Sequence, residues 1–125
     1  MRNQNPIQKD ATLGSVVKVQ QVIDFMVLAE LQKTRHYGKQ LEQAIITALD
    51  GVGVNDAYLT QRLRKLDSMG HVTAYWETDN RYFRYYEITE SGVVYFEQLV
   101  KDLPERVDLA LKVYQKFSAI IQKYE

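Results

Sequence analysis

Apolar positions divide the chain into blocks of distinct period. Val16, Val19, Ile23, Met26 and Val27 recur at helical spacing, and Val22, Phe25 and Leu28 widen that stripe until it runs nearly all round. The spacing predicts a helix over roughly Val16–Leu31, capped by Ser15 or the Gly14–Ser15 pair. A helix apolar on every side is buried on every side, which in so short a chain implies cover from a second subunit. Gln32–His36 reads as a polar connection, and Tyr37–Leu49 as a second helix with Leu41, Ala44, Ile45, Ala48 and Leu49 on one face. Asp50-Gly-Val-Gly-Val stops it, because closely spaced glycines favour a turn over continued helix.

Asn55–Met69 is the third helix, with Asn55 as its N-cap and Leu59, Leu63 and Leu66 at i, i+4 and i+7. After Gly70 the period drops to two, which predicts strands at about His71–Thr78 and Tyr82–Ile88. A three-residue loop, Asp79–Arg81, is favoured over a two-residue turn, because it pairs Val72 with Ile88 and keeps one row apolar. Thr89-Glu-Ser-Gly restarts a helix that is expected to reach Leu103, where Pro104 introduces a kink or a restart. Beyond it, Val107, Ala110, Tyr114, Phe117, Ile121 and Tyr124 form a heptad seam, too short to be a stable coiled coil alone. The expected fold is mainly α with a small β-hairpin: a winged helix-turn-helix with N- and C-terminal dimerisation helices. It divides into a flexible arm at 1–14, a DNA-binding unit at 15–88 and a dimerisation helix at 89–125.

Size and charge refine this outline. A chain of 125 residues allows one core, and its polar N-terminus resembles no signal peptide. No apolar run approaches the roughly 20 residues of a membrane span. The absence of cysteine excludes disulfides and thiolate metal sites and is compatible with a reducing cytoplasm, the expected location. Net charge is zero, which argues mildly against nucleic-acid binding. Locally the balance shifts: residues 1–40 carry six basic side chains against three acidic ones, and 55–85 carry five against four. Binding to DNA should therefore be salt-sensitive and need a dimer.

The third helix is the candidate recognition element. Its polar face offers Asn55, Asp56, Thr60, Gln61 and Arg64 to the major groove, with Arg62 and Lys65 flanking phosphates. Alone it is an ordinary amphipathic helix; the hairpin that follows makes the reading specific. Arg81 and Arg84 on that wing suit a minor groove or its phosphates, and Lys39 joins the DNA-binding set. Asp56 also suits a plain helix-start role. Most of the hairpin aromatics read as cross-strand pairs. His36, expected to be exposed, and His71, expected in a strand, have no ligand or nucleophile at a spacing that points to metal or catalysis, so no enzyme, metal or cofactor is expected. The dimerisation set is Val19, Ile23, Met26, Val107, Tyr114, Phe117, Ile121 and Tyr124.

These residues resemble the PadR-type transcriptional regulators. Tyr37-Gly38-Lys-Gln-Leu41 is similar to the start of their second helix, and Ala57-Tyr58-Leu59-Thr-Gln-Arg62-Leu63-Arg-Lys-Leu66 to their recognition helix. Met69-Gly70-His71-Val72 resembles the turn into the wing, and Arg84-Tyr85-Tyr86-Glu-Ile88-Thr89-Glu-Ser-Gly92 the closing strand and next helix start. The likeness covers about Val22–Leu99. It implies a homodimer through the terminal helices, a palindromic double-stranded operator, usually a repressor role, and Tyr58 near the DNA backbone. Some members sense aromatic compounds and often carry a tryptophan on the C-terminal helix. Here that helix holds Tyr114 and Phe117 but no Trp, which leaves a small-molecule effector without support. Replication terminator proteins are similar in the same features and bind DNA to block a helicase. A winged-helix protein-interaction module without DNA binding is the third reading, and net charge zero is its best support.

Overall fold

The computed structural model describes residues 12–77 and 80–125. Helix α1 spans Val19–Leu31, the short strand β1 His36–Tyr37, α2 Gly38–Ala48 and α3 Asp56–Ser68. Strands β2, Val72–Glu77, and β3, Asn80–Ile88, lead into α4, Glu90–Gln122. The mainly helical class with a small sheet is as expected. The sheet has three strands, however, in the order β1-β3-β2. His36 and Tyr37, read as the end of a polar connection, pair with Tyr86 and Tyr85. A two-residue strand carries too little alternation to be seen as period two. His36 is correspondingly shielded rather than exposed: its Nδ1–H donates to the Thr34 carbonyl at 2.8 Å and its side chain is 15% exposed.

Helix α1 starts three residues later than its apolar pattern suggested. Ser15 does not cap it; the Ser15 hydroxyl bonds instead to Thr12 Oγ1 at 2.8 Å. Val16, ahead of the helix, is buried, and Arg106 of α4 reaches the Ser15 and Val16 carbonyls at 3.5 and 3.4 Å. The all-round apolar reading also needs correction. Ile23, Val27, Leu28 and Leu31 fill this chain's own core, whereas Val19 is exposed. Ile23 is therefore packed inside the subunit and does not face a partner. The part of the N-terminal arm up to residue 11 lies outside the described residues.

Four helices and the sheet share one core. Leu41 and Ile45 of α2, Leu59, Leu63 and Leu66 of α3, Val72 of β2 and Tyr86 of β3 close on the α1 row. Burying side chains of this size stabilises by about 1.5–3 kcal/mol each before entropy is counted. Asn55 caps α3 as expected, its Oδ1 accepting from Ala57 N and Tyr58 N at 2.8 and 3.3 Å. Gly70 ends that helix at φ 81°, where the His71 N–H reaches back to the Leu66 carbonyl at 2.8 Å. The wing keeps the favoured register, Val72 opposite Ile88, as far as Trp76 opposite Arg84. The register then shifts at Trp76/Glu77, so Glu77 faces Asn80 and the strand resumes earlier than a regular Asp79–Arg81 loop would allow.

Helix α4 runs for 33 residues through Pro104, so the helix does not restart there. At 1.5 Å per residue it is about 50 Å long. Its first turns are locked to the wing base, its middle packs on α1, and its last turns extend past the core. Between α1 and α4 lies an apolar groove of about 460 Å³, lined by Val22, Phe25, Met26, Leu103, Pro104 and Val107 among others. No helix among the described residues is long and apolar enough to cross a membrane.

Candidate nucleic-acid interface

The three leucines of α3 turn inward, which leaves Ala57, Thr60, Gln61, Arg64 and Ser68 as one outer stripe, with Lys65 beside it. Thr60, Gln61, Arg64 and Lys65 are all exposed, as a groove-reading face requires. Asn55 and Asp56 sit at the N-terminal end. The Asn55 oxygen is committed to the cap, and Asp56 occupies the first turn, where a carboxylate favours the positive end of the helix. Tyr58 is half-buried against the core, so its ring packs inward. Lys39 is exposed on α2 and ion-pairs with Glu42 at 3.1 Å; the Glu42 hydrogen bond raises its pKa.

Arg62 is the residue that the structure places elsewhere. Its Nε and Nη2 donate to Asp24 Oδ1 and Oδ2 at 2.9 and 2.7 Å, and its side chain is only 14% exposed. The guanidinium points into the gap between α3 and α1, away from any phosphate on the outer face. Asp24 in turn accepts from the Tyr95 hydroxyl at 2.7 Å. The bond to Asp24 raises the Arg62 pKa, and burial, reinforced by Asp24, pushes the Tyr95 phenol well above its usual range. The signal for this cluster was Asp24 itself, an acid inside an otherwise apolar helix. A buried carboxylate demands cationic and hydroxyl partners, but nothing in the spacing says which.

The wing is held from both sides. On one face, Arg35 donates to Tyr75 Oη at 3.0 Å and Glu77 Oε1 at 2.9 Å, with its guanidinium 4.2 Å from the Tyr85 ring centroid. Tyr37 packs on the same face against Phe83 and Tyr85, with ring centroids 4.9 and 5.6 Å away. The tyrosine of the Tyr37-Gly38 pair thus braces the wing. No local pattern marks Arg35 for this role, because it lies in a connection and its partners are some 40 residues away in the chain. On the other face, Arg84 lies over Trp76 at 5.8 Å and 3.8 Å from Asp67 at the end of α3. Arg84 is half-exposed beside α3. The side chain of Arg81, the other wing candidate, lies outside the described residues.

At the base, His71 is not in the strand but at the turn before it. The Thr89 hydroxyl donates to the Gly70 carbonyl at 2.6 Å, and the Thr89 N–H to the His71 carbonyl at 3.1 Å. The His71 Nδ1 and Ser91 hydroxyl are hydrogen-bonded at 2.7 Å, and the His71 ring stacks on Tyr95 at 4.8 Å. The end of α3, the wing and α4 therefore meet at one knot. Among the described residues, no group of three acidic or histidine side chains could hold a metal.

Residues 27–98 match the model of the transcriptional regulator PadR-like family. No curated protein matches the sequence. A transcriptional regulator from Clostridium thermocellum superposes with TM-score 0.64 at 25% identity, covering 79% of this chain and 92% of that one. A PadR family transcriptional regulator from Eggerthella lenta superposes at 0.62 with 20% identity over 86% of this chain and 95% of that one. The transcriptional regulator BldR from Sulfolobus solfataricus is similar at 0.58, with 16% identity over 94% and 84%. The last two likenesses speak to the fold alone.

Proposed function

Because this chain belongs to the PadR-like family of transcriptional regulators, whose membership implies DNA-binding regulation, we propose that it is a repressor that binds a palindromic double-stranded operator as a homodimer. The observation that carries this reading is the exposed polar stripe Thr60, Gln61, Arg64 and Lys65, set beside a wing that presents Arg84. Gln61 and Arg64 are the base-reading candidates, since amide and guanidinium groups match the donor and acceptor edges of the major groove. Lys65, Lys39, Arg84 and Arg81 supply phosphate charge, and Thr60, Asn55 and Asp56 complete the approach. Arg62 and Tyr58 serve this face from behind rather than by touching DNA.

Homodimerisation rests on α4. Tyr114 and Phe117 are 60% and 54% exposed, and Val107, Leu111, Ile120, Ile121 and Tyr124 share that exposure. Contiguous apolar surface on this scale marks an interaction site. Two-fold pairing covers it, with Val19 and Met26 of α1 at its margin, and sets two recognition helices about 34 Å apart, one DNA turn.

Selection of bound duplexes from a random pool tests this directly. A palindromic consensus is expected, and Gln61→Ala or Arg64→Ala should cost ~1–3 kcal/mol on it while affecting random DNA less. A chain that retains no duplex at low salt would instead favour the protein-interaction reading, to which zero net charge is the pointer. A consensus that maps to a replication terminus would favour fork blocking.

A further inference from the structure

Asp24 is fully buried, the only buried charged residue among the described residues. It stands on α1 where α3 and α4 converge, and it takes both prongs of Arg62 and the hydroxyl of Tyr95. An ion pair in such a place is seldom a gain in stability over well-packed apolar groups of the same volume. What it supplies is direction. A two-pronged guanidinium–carboxylate pair is planar and fixes orientation as well as distance, whereas leucines sliding over one another do not. Arg62 lies between Gln61 and Arg64 in sequence, so whatever fixes Arg62 also fixes the angle at which those two side chains leave the protein.

The other end of the cluster is equally well placed. Tyr95 is one turn ahead of Leu99, which lines the α1–α4 groove, and its neighbour Phe96 packs on Phe25 with centroids 4.8 Å apart. Its ring also stacks on His71 at the exit of the recognition helix. We infer that Arg62, Asp24 and Tyr95 form a buried clamp that sets the rotation of α3 against α1 and α4, making Arg62 and Tyr95 positioning residues for sequence-specific DNA recognition. The inference rests on the DNA-binding reading above. It assigns Arg62 an interior role and makes the setting of α3 depend on how α1 and α4 sit against each other. A displacement of either helix beside the groove would reach the recognition stripe through two hydrogen-bonded contacts.

Tyr95→Phe is the test, because it keeps the ring that stacks on His71 and removes only the hydroxyl. Arg62→Lys is its companion, keeping the charge but not the fork. Each variant is compared with the parent chain on the duplex that the parent selects from a random pool and on a random duplex of equal length. Melting and sedimentation are measured alongside. The clamp predicts a loss of roughly tenfold or more on the selected duplex, the scale of a hydrogen bond to a charged group, with random-duplex binding and self-association unchanged. Repeating the selection with Tyr95→Phe should return a consensus relaxed where Gln61 and Arg64 read. Unchanged binding to both duplexes, or an equal fall on both, overturns the inference and leaves the cluster purely structural. A parent chain that selects no sequence overturns the DNA reading itself, and the clamp with it.

Discussion

Gly92 shows how narrowly single residues are specified here. A side chain built on it would overlap the His71 carbonyl oxygen and crowd the Ile88 side chain at 2.8 Å. That carbonyl cannot retreat, since it already accepts the Thr89 N–H. Gly92→Ala should therefore destabilise by about 3 kcal/mol, at the upper end of overpacking costs, and thermal or urea melting would measure it. A neutral result would mean that the start of α4 can shift without cost. Tyr95 allows a test by pH. Its folded-state pKa lies above the ordinary phenol value of 10, chiefly through burial and then through the bond to Asp24. The stability this contributes is complete below pH 10 and is lost as pH rises beyond it, because the unfolded phenol ionises first. Stability of the parent chain should thus fall more steeply above pH 10 than that of Tyr95→Phe. Tyr86, also raised by burial, remains in both proteins and cancels in the difference.

Among elements, α4 and the wing carry the most consequence. Helix α4 continues through Pro104, an exposed residue at the edge of the α1–α4 groove, although the proline removes one backbone donor. Pro104→Ala should raise the melting temperature, with up to ~3 kcal/mol of helix propensity opposing the loss of apolar packing in the groove. A lowered melting temperature would show that the ring's packing outweighs the backbone defect. The wing depends on Arg35, whose bonds to Tyr75 and Glu77 span β2 while its guanidinium lies over Tyr85 of β3. Arg35→Ala should leave the helical core intact but loosen the hairpin. Hydrogen exchange should then accelerate in β2 and β3 and not in α1 or α3. With the wing in the phosphate-binding role proposed above, DNA binding should weaken on all sequences alike.

At the scale of the molecule, the proposed homodimer turns on the end of α4. The chain's core is closed, but the last turns of α4 project beyond it with Tyr114, Phe117, Ile120 and Ile121 exposed. Replacing Tyr114 and Phe117 by Asp, or deleting residues 105–125, should yield a monomer that no longer binds a palindromic duplex, by sedimentation and gel shift respectively. A full-length chain that sediments as a monomer at micromolar concentration and still binds tightly would refute the dimer. The formal net charge of zero belongs to this scale too. With little bulk attraction for phosphate, DNA binding would rest on local cations such as those of α3 and the wing, so affinity should fall sharply with added salt.

Periodicity placed the first three helices, the start of the fourth, the hairpin and its main register, because apolar rows at period 3.6 or 2 must face a core whatever the topology. Asn55 as cap, Gly70 as stop and the Thr89–Gly92 helix start were legible for the same local reason: each serves a neighbouring backbone group. The outer stripe of α3 followed as the complement of its leucines. Partnerships between distant parts of the chain were decided only in three dimensions. Asp24 with Arg62 and Tyr95, Arg35 with the wing, and His36–Tyr37 as a third strand join residues 38 to 71 positions apart. Charge, aromaticity and a two-residue extended stretch announce that a partner is needed, but many partners would satisfy them. The inward turn of Ile23 belongs to the same class, since which side of an apolar helix meets the chain's own core is set by its neighbours, and the continuity of α4 through Pro104 was likewise not legible in the sequence.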